Sequence, residues 1–507
     1  MENNESKRSY TAPDTVFAWA SLIFGYLFMR ALPAYKNNLG AFLLILTAYI
    51  STFIFFKAKR IKMPVLSIVV GASAIIMSAS LIISGNDFLI FLSFSYSLVC
   101  YCYFIYSALG NSVKKGVSDF IAVDFFKAVF VMPFYSIAEL FSAIANKRSK
   151  NVFRYVLKIL CGLFLAVIPT LVILTLLSYD SGFIDLLDKI FSFDTSEIVS
   201  HLISIIFAIP AAMYIFGLYS SSMHKVMENT ITAKECKNAM AEIRIMPKLT
   251  ALSATLPILF LYVVYFISQW KYYVSGFTGI LPENFSYAEY AREGFFQLCA
   301  VSVINLIIIL VIVTFMRRKA GRPDVILRVI AVTFCASTLV LITTAVSKLV
   351  MYISSYGLTE KRIYAMWLMI VIAIVYIIIA IGQFTRRIKP IFTSAAVCVV
   401  LFSALALCNA DAVIAEYNVD RYINGTLDTV DIYALDSMGE SAVPSLVRLS
   451  EHLEEKKSSG AHYSEALYEE LHEYLDIESE YLNRKEMTVF SFNIPEYRAK
   501  KAIKALK

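Results

Sequence analysis

Charge is scarce in this sequence. Lys, Arg, Asp and Glu make up 17% of the 507 residues, against about 25% in an ordinary soluble domain. That excludes a solvated enzyme, a disordered chain and a charge-laced coiled coil. Glycine is scarce too, at 18 residues, and no Walker sequence or GxGxxG occurs, so no phosphate-cradling loop is visible. The eight cysteines (Cys100, Cys102, Cys161, Cys236, Cys299, Cys335, Cys398 and Cys408) contain no CxxC pair, and none falls after residue 410. Neither a zinc site nor a disulfide framework is encoded. We expect no metal, no cofactor and no nucleic-acid partner.

What the chain has in excess is apolar surface. It is 58% hydrophobic, with a mean hydropathy of +0.66. The excess falls in blocks of about 20 residues, the length that crosses ~30 Å of hydrocarbon. Eleven blocks stand out: 13–32, 39–56, 64–84, 88–109, 152–178, 198–220, 249–269, 295–316, 326–353, 363–384 and 391–409. Runs of this length satisfy their own backbone in lipid only as helices, and they lack the alternation of barrel strands. The expected fold is an all-α integral membrane protein of about eleven transmembrane helices plus a small extracytoplasmic C-terminal helical domain.

Lys and Arg in the short loops set the orientation. One alternate set of segments, including Lys57 to Lys62, Lys147 to Lys150 and Arg317 to Arg322, carries 25 basic residues; the other carries seven. The N-terminus is therefore expected to be cytoplasmic and the C-terminus extracytoplasmic, in a multi-pass cell membrane protein whose first helix is retained as a signal-anchor. Residues 117–146 are apolar enough to tempt a further crossing. They hold Asp119, Asp124, Lys127, Pro133 and Glu139, and a crossing there would invert every later basic loop. They read instead as an interfacial or re-entrant cytoplasmic pair, with 182–193 as a shorter outer counterpart.

The division is then 1–12, a cytoplasmic N-terminus; 13–109, a four-helix membrane part; 110–151, the interfacial segment; 152–409, a seven-helix membrane core; and 410–507, an acidic tail. The tail holds 19 Asp and Glu against 11 Lys and Arg. Tyr463, Leu467, Leu471, Tyr474 and Tyr481 or Leu482 recur at helical spacing, as do Val443, Leu446, Val447 and Leu453. Four or five short helices are expected, with a turn at 456–460. Scattered carboxylates of this kind more often keep a surface soluble than hold metal.

Few ionisable groups fall at mid-membrane, which argues against proton- or sodium-coupled transport. Asn305 is the clearest central polar residue and reads as an interhelical hydrogen bond rather than a ligand. Pro169, Pro210 and Pro257 kink their spans, which is common in transporters but not confined to them. Gly71, Ala74 and Ser78 form a small-residue packing stripe. The pair Glu197 and His201 is more often a helix-end contact than a metal site.

The specific residues gather at the expected outer face, in three segments. The first, YAEYAREGFFQL, contains Tyr287, Glu289, Tyr290, Arg292 and Glu293. The second, YGLTEKRIYAM, contains Tyr356, Glu360 and Arg362. The third, NADAVIAEYNVDRY, contains Asp411, Asn418 and Arg421. These runs resemble the hallmark segments of bacterial membrane proteins grouped as domain of unknown function 4173, related to domain of unknown function 4153. The resemblance covers roughly 150–440. It implies a multi-pass envelope protein and no established activity, so no catalytic residue is carried over.

Read on their own chemistry, the segments allow two roles. Ion pairs and tyrosines can lock the outer loops to the tail, the plainer reading. They can also line a cleft in which Arg292, Arg362 and Arg421 grip phosphate or carboxylate. Three functions follow. The first is transport or flipping of an envelope component through an outward-facing polar cleft. The second, ranked close to it, is an envelope sensor or scaffold whose tail binds an extracytoplasmic ligand or protein partner. The third is an intramembrane enzyme on a lipid-linked substrate, for which nothing fixes the separation of Glu289, Glu293, Glu360 and Asp411.

Overall fold

The computed structural model describes residues 10–31, 38–144, 195–226, 232–268, 295–317, 325–385 and 387–506, with seven isolated positions between 162 and 177. Among these, ten helices are long and apolar enough to cross a membrane. They are α1 (Ala12–Ala31), α2 (Asn38–Ala58), α3 (Val65–Ile83), α4 (Asp87–Ala108), α8 (Thr195–Met223), α10 (Lys248–Ser268), α11 (Phe295–Phe315), α12 (Val325–Tyr356), α13 (Glu360–Gly382) and α14 (Pro390–Leu407). The expected span at 152–178 lies almost wholly outside the described residues, as does the segment 182–193. The chain is an all-α multi-pass membrane protein.

Contacts between loops establish the two ends of the membrane body. At the end that carries the tail, Gly40 N–H donates to Phe490 O at 3.0 Å and Arg30 donates to Ser200 Oγ at 2.7 Å. At the opposite end, Asn111 donates to Ser222 O at 2.8 Å and Arg328 to Gln383 O at 3.1 Å. The described basic loops 57–62 and 114–115 thus share one end and the tail occupies the other.

Two apolar cores fill the membrane body. The first joins α1 to α4 and also takes in α8, which the sequence grouped with the later helices. Here α1 and α8 approach very closely: a Cβ on Gly25 would meet Ala208 O at 2.5 Å. The stripe of Gly71, Ala74 and Ser78 is buried, with Gly71 against Tyr49 and Phe104. The second core joins α10 to α13. Within it Asn305 accepts from Tyr262 Oη and donates to Thr338 Oγ1 at 2.9 Å, tying α10, α11 and α12 together. A small third cluster at the seam holds Leu89, Leu405 and Ala410, with Tyr364, Trp367 and Phe402 against it.

Residues 117–144 enter and return at the lysine-rich end. They form α5 (Ile121–Phe126), one π-helical turn at Lys127–Val131, α6 (Met132–Tyr135) and α7 (Glu139–Ile144). Asp119 Oδ1 accepts from Ile391 N–H at 3.0 Å at the entry, and Thr15 donates to Ala143 O at 2.8 Å at the exit. Between them Tyr214 Oη donates to Val129 O at 2.8 Å. Tyr214 stands nine residues before the end of α8, about 13 Å along the helix axis. The hairpin turns at residues 136–138, one helical turn after Pro133, and the Pro133 carbonyl and Ile137 backbone sit against Gly217. Phe126, Phe130 and Phe134 are exposed along one face, as lipid contact requires.

The tail comprises α15 (Ala410–Ile423), α16 (Ile432–Asp436), α17 (Val443–Ser458), α18 (Glu465–Arg484) and α19 (Ile494–Leu506) around a core of its own. Val443, Leu446, Val447 and Leu453 are buried as their spacing predicts. On α18 the buried stripe is Leu467, Leu471, Leu475 and Leu482. Tyr481 is exposed instead, because leucine can be enclosed without a hydroxyl to satisfy. Glu496 on α19 is buried between Lys485 and Lys500, each at 3.1 Å.

Candidate functional site

The tail-side ends of the two cores meet at the seam, and three segments converge there. Asn86 precedes α4 and caps it, its Oδ1 accepting from Leu89 N–H at 3.1 Å. That bond orients the amide, so its NH2 faces Glu360, whose Oε1 lies 3.4 Å away in the first turn of α13. Tyr364 stands one turn further along α13, with a buried hydroxyl that has no hydrogen-bond partner among the described residues. The third segment is the bend after α14. Asn409 adopts a left-handed conformation (φ 48°) and accepts from Ser441 Oγ at 3.2 Å. The bend turns the chain into α15 and places Asp411 at the seam. Asp411 is 1% exposed, and its Oδ1 has no partner among the described residues.

A buried carboxylate facing another carboxylate resists ionisation. Burial pushes the Asp411 carboxyl up to about 7, the Glu360 charge pushes in the same direction, and the Asn86 amide pulls it back. The pair can hold a proton at neutral pH.

Beside it lies a second polar arrangement. Helix α12 ends at Gly357, which has φ +73° and whose N–H returns to Ile353 O at 2.9 Å, a left-handed C-terminal cap. The remaining carbonyls are taken by two arginines. Arg421 donates to Ile353 O at 3.1 Å, to Ser354 O at 2.8 Å and to both oxygens of Thr426. Arg362 donates to Tyr356 O at 2.9 Å and to Gly357 O, while stacking 4.1 Å above the Tyr352 ring. The Tyr356 ring packs on the same tyrosine, tilted by 56° with its centroid 5.2 Å from that of Tyr352. Cations at a helix C-terminus are favoured by its dipole. Asn418 clasps the next residue, accepting from Leu358 N–H at 2.7 Å and donating to Leu358 O at 2.8 Å.

Of the residues singled out in the sequence, the structure brings together Glu360 with Asp411, and Tyr356 with Arg362, Asn418 and Arg421. Tyr287, Glu289, Tyr290, Arg292 and Glu293 lie outside the described residues, and so does the Glu197 side chain. His201 bonds Tyr26 Oη at 2.6 Å. Sequence reasoning missed Asn86, Tyr364 and Leu358. Asn86 before an apolar run is a legible N-cap, but nothing local names its partner 274 positions away.

The opposite end has two buried polar clusters that were also not anticipated. Asp14 accepts from Lys59 Nζ, Tyr219 Oη and Thr11 N–H, the last at 2.8 Å, joining α1, α2 and α8. Asp124 accepts from Val113 N–H at 2.8 Å and Tyr106 Oη at 3.2 Å; burial raises its carboxyl to about 6.

The family described as Domain of unknown function (DUF4153) matches residues 71–449. The chain belongs to that family. The match is to grouping 4153 rather than 4173, and it begins well before residue 150, taking in α4 and most of α3. It spans the second core, the seam, the first tail helices and, of the first core, α4, α8 and most of α3, but not α1 or α2, in this DUF4153 protein. No curated protein and no solved structure matches the chain.

Proposed function

We propose that this protein is a bacterial envelope scaffold or sensor subunit that mounts an acidic helical domain on the outer face of the cell membrane. The observation that carries this reading is the attachment of α15. Asn418, Arg421 and Asp411 fix it to the ends of three membrane segments, so the tail is held at the joint rather than tethered. The lysine-rich loops at the opposite end support a cytoplasmic position for that end by the positive-inside rule. Glu469, Glu470, Glu473 and Asp476 lie exposed along α18, a surface suited to a partner of positive charge. The Asp411–Glu360 pair beneath supplies an element whose charge responds to conditions outside.

Two experiments test this. An alkaline phosphatase fusion at Lys507 is expected to be active, and activity of a cytoplasmic reporter there overturns the orientation. Crosslinking of the full chain in cells through residues of the exposed α18 face should capture a partner that is lost when Glu469, Glu470 and Glu473 become Gln. Capture unchanged by those substitutions removes the charge-based surface.

A second reading, transport or flipping of an envelope component, is supported by the broken hairpin α5 to α7, since non-helical backbone at membrane depth is tolerated where it lines a cavity or packs on protein. It needs Arg292 and Arg362 to face an open cleft. Replacing both with Gln should then change the phenotype at normal membrane levels; loss of the protein itself marks a structural role.

A further inference from the structure

The lysine-rich end contains a cavity that none of the foregoing uses. It has a volume of about 370 Å³ and lies between the loop entering α3 and the loop leaving α4. Lys62 and Lys115 stand at its rim, and Ser107 and Ser112 line it further in. Both lysines are exposed, and neither forms an ion pair with a described residue. Ser107 is buried and accepts from Ser67 Oγ at 2.8 Å and from Ser112 Oγ at 3.1 Å, so the wall is a chain of hydroxyls. No carboxylate lines the cavity. Two exposed cations with no ion-pair partner among the described residues, beside polar serine hydroxyls, suit an anion with several oxygens.

The apolar surface beside it narrows the choice. Pro64 and Leu66 line the cavity, and Val65 between them begins an outward stripe. Val65, Val69 and Ile76 are 76%, 55% and 56% exposed and share a face of α3 by their spacing. A ligand seated in the cavity therefore has an uncovered membrane helix running away from it. A free anion would leave that face without a role; an anionic amphiphile matches both halves.

We propose that this cavity binds the phosphate headgroup of an anionic phospholipid, with Lys62 and Lys115 pairing the phosphate and an acyl chain lying along Val65, Val69 and Ile76. The site is independent of the Asp411–Glu360 pair and of the function assigned to the tail.

The test uses the full chain in nanodiscs or detergent, with phosphatidylglycerol and phosphatidylcholine of equal chain length as probes and native mass spectrometry as the readout. The unmodified protein should retain phosphatidylglycerol in preference to phosphatidylcholine. The double variant Lys62→Gln, Lys115→Gln should bind it about 30-fold more weakly, on the order of tenfold or less per lysine. A control, Lys234→Gln with Lys237→Gln on α9 (Ala233–Glu242) at the same end, should bind as the parent does. Equal loss in the control, equal retention of the two lipids, or full retention by the double variant overturns the proposal. Complete displacement by millimolar inorganic phosphate also overturns it, because the ligand would then be a free anion. Should the double variant accumulate poorly, Val69→Lys serves in its place: it leaves the cavity intact and should weaken retention of phosphatidylglycerol without creating a preference for phosphatidylcholine.

Discussion

Asp411 is the residue whose chemistry depends most on its place. Its carboxyl is raised from 3.8 to about 7 by burial and by Glu360. A raised acid favours the protonated, packed state, so its contribution to tail docking is fully present below about pH 4. It is lost as pH rises through 7 and changes little above that. Proteolysis of the 424–431 linker in the solubilised full chain should therefore quicken from pH 5 to pH 8. In Asp411→Asn that slope should flatten, with slower cleavage at pH 8; an unchanged profile would show that the seam does not govern docking. Asn418 offers a simpler test. Asn418→Ala removes both bonds to Leu358 and leaves a backbone N–H and C=O unpaired, a cost of about 1–3 kcal/mol per buried group. Gly357→Ala should destabilise too, since φ is +73° and the new Cβ would meet Asn418 Oδ1 at 2.5 Å. Thermal unfolding of both variants should show a lower midpoint than the parent.

Among the elements, helix α12 and the hairpin stand out. The 32-residue length of α12 exceeds what ~30 Å of hydrocarbon needs, so its last turn emerges and its carbonyls need partners. Arg362 and Arg421 meet that need. Replacing Arg421 with Ala should speed hydrogen exchange at residues 353–358 while leaving the centre of α12 unchanged, and Lys should restore protection only in part because it lacks the guanidinium fork. The hairpin depends on close approach. Gly217 admits the Pro133 carbonyl, as Gly25 admits that of Ala208. Gly217→Val should lower the yield of folded protein more than Ile205→Val on a lipid-facing position of the same helix; equal yields would mean that the hairpin tip is not held by this contact.

Across the whole molecule, the partition of charge and the partition of packing do not coincide. The lysine-rich loops and the acidic tail mark the two membrane ends, whereas the cores divide the body lengthwise, α1 to α4 with α8 on one side and α10 to α13 on the other. Helix α14 and the seam cluster of Leu89, Leu405 and Ala410 connect them. Tryptophan substitution at Ala410, which is 2% exposed, should loosen both the tail and the contact between the cores; protection measured across residues 86–92 and 360–367 should fall together.

The positions of the ten described spans, the separate tail core and the lysines gathered at one end were legible in the sequence, because apolar length and loop charge are local properties that lipid and water read directly. So was the role of Asn305, since a lone amide amid apolar residues needs a neighbour's donor or acceptor. Tertiary structure decided the rest. It joined α8 to the first core, packed the returning segment 117–144 against α8, and added Leu475 to the α18 stripe, leaving Tyr474 half-buried beside it. It also set Asn86 beside Glu360 and Asp411, a meeting of three distant segments. The seam exists only because helix ends pack across hundreds of residues, and burial there, rather than residue type, gives Asp411 its neutral-range carboxyl.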